Sequence, residues 1–186
     1  IGEEGLFEML VEDNLNLFRN CGISRIVTIC PHGYNVFKNE YPGLDLEVKH
    51  YTQFLADLVR QGALTFSSEV RKVVTYQDPC FLGKQNKVFD EPRSIISAIP
   101  GVTFVDLDRS RERSFCCEGG GGRMWVEASD SGERLAEMRI RQAVESGAEV
   151  LATACPFCLL NLEDAVKTTG YGDRIEVKDI MELVSV

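Results

Sequence analysis

The sequence predicts an α/β protein with an open, mostly parallel β-sheet flanked by helices, built from two Rossmann-like half-domains related by an internal repeat. Two observations predict this class. Short segments rich in β-branched residues alternate with segments of helical periodicity along the chain. Residues 10–30 also match residues 135–155 without a gap, at a constant offset of 125 residues. Each copy is predicted to run helix, glycine turn, strand, Cys-Pro turn, helix, strand, helix.

The first copy begins with a helix in which Leu6 and Leu10 mark an apolar face, and Gly22 stands where glycine commonly ends a helix. A short strand at residues 25–29 follows. Pro31 then suits the first turn of the next helix, because proline lacks an N–H that this position does not need. The copy closes with a strand and a helix, at residues 47–49 and 51–59.

The middle of the chain and the second copy continue the alternation. The predicted strands lie at residues 72–77, 102–106, 149–154 and 176–178. The predicted helices lie at residues 91–99, 126–146, 157–167 and 180–184. At the same offset, the counterpart of the cysteine pair at positions 116 and 117 would fall before residue 1. We therefore expect an incomplete first repeat at residues 1–68, a complete second repeat at residues 69–186, and a longer parent protein.

Composition restricts the function classes. With 186 residues, 44% of them hydrophobic, the chain can bury a core without covalent staples, so its seven cysteines are not expected to form a disulfide framework. Its 20 basic residues are scattered along a chain of net charge −9, which argues against a nucleic-acid partner. No apolar run approaches the roughly 20 residues of a membrane span, and no signal peptide is visible. We expect a cytoplasmic protein, peripheral to a membrane only through a partner.

Five of the seven cysteines follow one C…CC…CxxC pattern, formed by Cys80, Cys116, Cys117, Cys155 and Cys158. Cys80 and Cys155 each follow a predicted strand, and the carboxyl ends of parallel strands share one edge of a sheet. Thiolates that converge in a reducing compartment favour soft-metal chemistry. An iron–sulfur cluster is the first candidate.

The cysteine pair is followed by Glu118 and by four glycines at residues 119–122. A turn is needed for both sulfurs to face one point, and Gly119 and Gly120 supply it, together with N–H groups that can hydrogen-bond to sulfur. With a long helix predicted directly after them, these glycines could equally cradle a phosphate. We favour the metal site because binding a phosphate does not require the cysteine pair.

Two other classes of function stay open. Zinc takes four ligands in a tetrahedron and would leave a fifth cysteine idle, but it could substitute for iron or define a structural, interaction-mediating module. Cys155 and Cys158 at the start of a helix also suit a redox disulfide. The chain would then be a thiol redox protein without a cluster.

In the first copy, Cys30 keeps its place after a strand, but Gly33 stands where the offset places the second cysteine of the CxxC. Cys30 and His32 are therefore additional candidate ligands.

Five further residues carry structural expectations. Cys21 is expected to pack at a helix end, and Asp78 to order the turn before the first site cysteine. Phe115 and Trp125 flank the cysteine pair and are expected either to shield a cluster or to pack in the core. His50 is expected to lie at the surface or to have its hydrogen bonds satisfied.

These motifs resemble the second cysteine motif of the cysteine-rich CCG-domain family. The family is found in heterodisulfide reductase catalytic subunits and in the iron–sulfur subunits of glycolate and lactate oxidising systems. The resemblance covers nearly the whole chain, and residues 2–42 are similar to the tail of the family's first motif. The matching segments of the second motif are Asp78-Pro79-Cys80, Phe115-Cys116-Cys117, the glycine run with Arg123-Met124-Trp125, and Cys155-Pro156-Phe157-Cys158.

The resemblance implies an oxidoreductase subunit in which each complete motif binds a [4Fe–4S] cluster. In heterodisulfide reductase the cluster is of a non-cubane form, and the disulfide substrate is cleaved at its iron sites. Here the resemblance implies one cluster, with all five cysteines of the pattern as ligands. Two positions depart from the family: Glu118 replaces the glycine of its name, and Gly33 replaces the last cysteine of its first motif.

We therefore expect a cluster-bearing domain that carries electrons to or from a thiol/disulfide or 2-hydroxy-acid couple. The chain has no C-x₂-C-x₂-C-x₃-C run of the ferredoxin type. Its electrons are expected to pass through a missing amino-terminal ferredoxin-like region or a partner subunit. The sequence assigns no catalytic residue.

Overall fold

The computed structural model describes residues 3–126 and 132–184. Their strands are all parallel and are flanked by helices, which confirms the predicted α/β class. The strands are β1 Arg25–Thr28, β2 Glu47–His50, β3 Val73–Tyr76, β4 Thr103–Phe104, β5 Val150–Thr153 and β6 Glu176–Asp179. The α-helices are α1 Glu4–Asn20, α2 Pro31–Asn39, α3 Tyr51–Arg60, α4 Asp90–Ala98, α5 Leu135–Glu145, α6 Pro156–Thr169 and α7 Ile180–Val184. None of the helices in these ranges is both long enough and apolar enough to cross a membrane.

The strands lie in two sheets. The larger has the order β4-β3-β5-β6, and the smaller pairs β1 with β2. In the repeat, β1 corresponds to β5 and β2 to β6. The sequence predicts a single open sheet; the chain forms two because residues 3–50 contain no counterparts of β3 and β4, so β1 has a partner on one side only.

The repeated order of elements is confirmed in both copies. Gly22 and Gly147 follow α1 and α5 with φ of 62° and 79°, the left-handed conformation that ends many helices. Cys30 and Cys155 have extended backbones directly before α2 and α6, and each of those helices begins with proline. The two Cys-Pro turns are therefore local structures encoded by the same residue types.

The helix predicted at residues 126–146 is shorter than expected. Helix α5 begins at Leu135, Arg123–Trp125 form a 3₁₀ turn, and residues 127–131 lie outside the described part of the chain. Gly121 and Gly122 have φ of 63° and 75°, which takes the backbone off a right-handed helical path. The glycine run therefore does not open directly into a long helix, and the predicted dipole that would favour a phosphate there is absent from residues 119–126.

One hydrophobic core joins the two halves. Tyr34 and Tyr51 of the first half pack with Val74, Tyr76 and Ile96 of the second. The Tyr51 hydroxyl also donates a hydrogen bond across the halves, to an aspartate that ends β6, at 2.8 Å. Burial of apolar surface stabilises this arrangement by roughly 25 cal/mol per Å². The Cys-Pro turn of the first half is thereby held against the second half.

Candidate metal centre

The five cysteines of the pattern lie at the carboxyl end of the larger sheet. β3 and β5 are neighbours in that sheet. Cys80 follows β3 and Cys155 follows β5, so the two chain segments leave the same sheet edge. The loop before α5 brings Cys116 and Cys117 to this edge, and the first turn of α6 adds Cys158. The fold thus gathers five thiols from three separate segments.

The thiols form an unbroken series of hydrogen-bonded neighbours. Cys80 and Cys117 both donate to Cys116. Cys158 donates to Cys117, with the two sulfurs 3.0 Å apart, and its sulfur is also within hydrogen-bond contact of Cys155. Cys117, Cys155 and Cys158 are buried, Cys80 is partly buried, and Cys116 is exposed. The series therefore runs from an exposed edge into the interior.

These contacts shift the pKa values of the five thiols in opposite directions. Donation from Cys117 and Cys80 lowers the pKa of Cys116, and contact with Cys158 together with backbone hydrogen bonds lowers the pKa of Cys155 to about 7. The three donors have raised pKa values because each gives its proton to a neighbouring sulfur. Metal binding displaces such protons, since the thiolate is the form that binds metal.

Backbone N–H groups point at the sulfurs. The N–H of Glu118 donates to Cys116 Sγ at 3.3 Å, and the N–H of Gly119 donates to the sulfur of Cys117. Such donors stabilise negative charge on a thiolate or on a cluster that it holds. The backbone N–H of Phe81 donates to the sulfur of Cys80. The backbone N–H groups of Phe157 and Cys158 donate to the sulfur of Cys155.

Gly119 and Gly120 let the cysteine loop approach its neighbours closely. A Cβ at Gly119 would lie 2.5 Å from the carbonyl oxygen of Phe157, in the first turn of α6. A Cβ at Gly120 would lie 3.3 Å from His32 Nε2. The absence of a side chain at Gly119 is therefore a condition for the loop to reach the site, whereas a side chain at Gly120 would require the His32 ring to shift by a few tenths of an ångström.

Glu118, at the position where the family resemblance places a glycine, has a φ of 61°. Glycine adopts this left-handed conformation without steric cost. The Glu118 carboxylate accepts a hydrogen bond of 3.2 Å from the N–H of Ala136, at the start of α5. Negative charge is favoured at a helix N-terminus, so this side chain caps α5 from across the loop.

We expect Glu118→Ala to lower the free energy of unfolding by about 1 kcal/mol, because the first turn of α5 loses an acceptor while the left-handed backbone is kept. Urea unfolding followed by circular dichroism measures the change. Glu145→Ala, at the exposed opposite end of the same helix, is the matched control and should not destabilise the chain. Equal losses in the two variants would contradict the capping role.

A buried ion-pair network holds the turn that carries Cys80. Asp78 is 1% exposed and pairs with Arg93 through both oxygens, at 2.7 and 2.9 Å. Arg93 also pairs with Asp106 at 2.8 Å. The N–H of Arg111 donates to Asp78 Oδ2 at 2.8 Å. Asp78 therefore orders this turn, as the sequence predicts, and its main partner is a guanidinium from α4.

A second buried network is centred on Arg139, which is 0% exposed. Its Nε donates to Gln77 Oε1 at 2.5 Å, and the Gln77 amide donates to the carbonyl of Phe115 at 2.9 Å, directly before the cysteine pair. Arg139 has no ion-pair partner within residues 3–126 and 132–184, and burial lowers its pKa to about 10. The charges of Asp78 and Asp106, and that of Cys158 to a smaller extent, oppose this lowering of its pKa.

Four polar residues that support the site were not identified from the sequence: Gln77, Arg93, Arg139 and Asn161. Asn161 donates to the carbonyl of Cys117. It lies three residues after a site cysteine on α6, and this helical spacing is a signal that could have found it. Arg139 lies on the otherwise apolar, buried face of α5, which is a second signal. Gln77 and Arg93 carry no comparable pattern.

Cys30 and His32 of the first half also reach this region. His32 lines a pocket together with four of the five site cysteines. Its ring centroid lies 4.4 Å from that of Phe81 and 5.3 Å from that of Phe157. Cys30 Sγ lies 3.6 Å from His32 Nδ1, and this hydrogen bond raises the pKa of His32.

Four other residues with structural expectations from the sequence do not contribute ligands to this site. Trp125 is 79% exposed on its 3₁₀ turn, so it neither shields the thiols nor packs in the core. Phe115 is half-buried against the guanidinium of Arg109, at 4.6 Å. Cys21 is exposed at the end of α1, and the expectation that it packs there is wrong. His50 is fully buried before α3, so the expected surface position is wrong. Its Nδ1 lies 2.8 Å from a threonine hydroxyl, its Nε2 has no hydrogen-bond partner in residues 3–126 and 132–184, and burial lowers its pKa to about 4.

The donor set fits a polynuclear centre. In the part of the chain that the structure describes, no three His, Cys, Asp or Glu side chains are grouped as ligands of a single metal ion. The five sulfurs lie as successive neighbours instead. A cluster holds several irons, each bound by its own thiolate, and its sulfides accept hydrogen bonds from backbone N–H groups. Both features are met here by residues of this chain.

Comparison with known proteins places this site in a family. Residues 74–163, which include all five cysteines, match the cysteine-rich domain model named CCG. Over its whole length the chain is 42% identical to the probable iron–sulfur-binding oxidoreductase FadF of Bacillus subtilis, and it covers 26% of that protein.

Two further relatives extend the comparison. The chain is 39% identical, over 99% of its length, to the EtfAB:quinone oxidoreductase of Syntrophomonas wolfei, of which it covers 27%. It is 38% identical, over 95% of its length, to one subunit of the dihydromethanophenazine:CoB–CoM heterodisulfide reductase of Methanosarcina barkeri, and it covers 44% of that subunit. The chain thus spans less than half the length of these curated relatives. The segment at residues 74–163, which holds all five cysteines, therefore belongs to the cysteine-rich CCG-domain family.

Proposed function

We propose that this chain is the iron–sulfur cluster-binding domain of an oxidoreductase subunit. The observation that carries the proposal is the unbroken series of five neighbouring thiols, with backbone N–H groups directed at their sulfurs. We propose a single [4Fe–4S] cluster. A cubane of this type needs four thiolates, so a fifth favours a non-cubane form. The proposed ligands are Cys80, Cys116, Cys117, Cys155 and Cys158.

The residues around the thiols have complementary tasks in this proposal. The N–H groups of Glu118 and Gly119 stabilise negative charge at one side of the site. The buried guanidinium of Arg139 adds a positive charge behind the cysteine loop. Both make it easier to add an electron, because a thiolate-ligated cluster is negatively charged. When bound, the cluster supplies the storage and transfer of single electrons.

Substrate and partners belong to the proposal as well. We propose that the domain carries electrons to or from a thiol/disulfide or 2-hydroxy-acid couple, and that a partner subunit or a ferredoxin-like region exchanges electrons with it in the cytoplasm. The relatives support this, since their names describe a heterodisulfide reductase and a quinone oxidoreductase and each is more than twice the length that the chain covers. Within the chain, we propose that residues 1–68 and 69–186 are the two repeats.

Anaerobic reconstitution of the chain with iron and sulfide tests the proposal. We expect uptake of about four irons per chain with an EPR signal on reduction. Cys158→Ser should remove most of this iron, because Cys158 is buried and adjoins two other site thiols. Cys21→Ser is the matched control, since Cys21 is exposed at the end of α1, and it should leave iron uptake unchanged.

Two results would contradict the proposal. One is uptake of a single zinc and no iron when both metals are supplied, which would favour the structural module. The other is a reversible disulfide between Cys155 and Cys158 with no iron uptake at all, which would favour the thiol redox protein.

A further inference from the structure

His32 is a residue of the first half whose imidazole is held inside the thiol site of the second half. Its ring lies 4.4 Å from the Phe81 ring and 5.3 Å from the Phe157 ring, at 85° to the latter. Phe81 directly follows one site cysteine, and Phe157 lies between two others. The imidazole is therefore fixed by residues of the site itself.

The two ring nitrogens of His32 have different surroundings. Nδ1 lies 3.6 Å from the sulfur of Cys30. Nε2 is buried and has no hydrogen-bond partner in residues 3–126 and 132–184. A buried polar atom without a partner costs free energy, so each such atom in a folded protein calls for an explanation.

His32 and four of the thiols line one pocket. The pocket that His32 lines is also lined by Cys80, Cys117, Cys155 and Cys158. On the loop side, Gly120 leaves room for the ring, since a Cβ there would lie 3.3 Å from Nε2. The residue that carries the unpartnered Nε2 thus lines the same pocket as the proposed cluster ligands.

We propose that His32 Nε2 is an iron ligand of the cluster, an inference that rests on the function proposed above. A metal-bound histidine usually donates its other ring N–H to an acceptor, which fixes the tautomer. Here Nδ1–H donates to the Cys30 sulfur, and the lone pair of the neutral ring remains at Nε2 for iron. Cys30 is then a positioning residue, which explains why it keeps its place without a CxxC partner. The first half thereby completes the cluster site of the second.

Pulsed EPR on the reconstituted, reduced chain tests the ligand. The chain has two histidines, and labelling both with ¹⁵N identifies any histidine nitrogen coupled to the unpaired electron. We expect a coupling of the size shown by metal-bound imidazole. His32→Gln should abolish it. The His50 Nε2 is also buried without a hydrogen-bond partner in residues 3–126 and 132–184, but His50 does not line the pocket of the cysteines.

A second variant tests the role of Cys30. Because the Nδ1–H···S hydrogen bond increases the basicity of Nε2, we expect Cys30→Ala to raise the reduction potential of the cluster with iron content unchanged. Cys21→Ala is the matched control and should leave the potential unchanged. An unaltered potential in Cys30→Ala would overturn the positioning role.

The possible results separate this inference from the proposed function. A cluster that shows no histidine nitrogen coupling, or a coupling that survives His32→Gln, would overturn the ligand assignment and leave the cluster-binding function standing. No cluster uptake by the unmodified chain would overturn the function and the inference together. If the unmodified chain shows the coupling and His32→Gln assembles no cluster, the ligand assignment is supported.

Discussion

The substitution Gly119→Ala is expected to impair cluster assembly by the chain strongly. A Cβ there would lie 2.5 Å from the carbonyl oxygen and 3.0 Å from the carbonyl carbon of Phe157. Both are backbone atoms in the first turn of α6, so the cysteine loop must retreat. Cys117 would then lose its 3.0 Å contact with Cys158. Overpacking costs about 1–3 kcal/mol, so we expect iron uptake to fall about tenfold or more. Iron and sulfide per chain after reconstitution measure this loss.

Gly172→Ala is the matched control for this experiment. It makes the same substitution at a loop glycine that has no neighbour within 4 Å of its Cβ position and no positive φ. The control should take up as much iron as the unmodified chain. If Gly119→Ala also takes up iron normally while folding with the same circular dichroism spectrum, the close approach at Phe157 is not required for cluster binding.

Arg93→Met is expected to destabilise the fold by about 3–5 kcal/mol, the usual cost of removing one partner of a buried ion pair. The change removes both hydrogen bonds to Asp78 and the pair with Asp106. Asp78 is 1% exposed and would be left with a buried charge beside the turn of Cys80. Urea unfolding followed by circular dichroism gives the free energy of unfolding of each variant.

Arg71→Met provides the comparison at the surface. Arg71 pairs with Glu69, but the two side chains are 82% and 52% exposed, so the loss should stay below about 1 kcal/mol. Adding Asp78→Asn to Arg93→Met should recover part of the stability, because the lone buried charge is removed. A cost for Arg93→Met no larger than that for Arg71→Met would contradict the structural role of the buried pair.

Most of the helices and strands could be predicted because their signals are local. Apolar spacing, glycine at helix ends and proline after Cys30 and Cys155 act over a few residues, and the repeat supplied each signal twice. The helix predicted at residues 126–146 was too long at its amino-terminal end, because local signals do not fix where a helix begins. It was predicted to begin at residue 126, whereas Gly121 and Gly122 lead into a 3₁₀ turn and α5 begins later, at Leu135.

The candidate site was only partly predictable. The spacing of the cysteines after strands indicated which thiols would meet, because parallel strands end at one sheet edge. The buried supports were missed, since Arg93 and Arg139 reach the site from helices whose orientation depends on packing. Trp125 shows the opposite error: it adjoins the glycine run in sequence, yet its side chain points to solvent.

The sequence alone determined the α/β class, the repeat and the set of five cysteines, since each follows from residue identity and short-range spacing. Only the tertiary structure decided the order of the thiols in their hydrogen-bonded series, the burial of Arg139, and the position of His32 beside the site. These features depend on contacts between distant segments of the chain. They also depend on how closely the backbone at Gly119 and Gly120 approaches its neighbours. Such contacts arise when the whole core packs and leave no periodic trace in the chain.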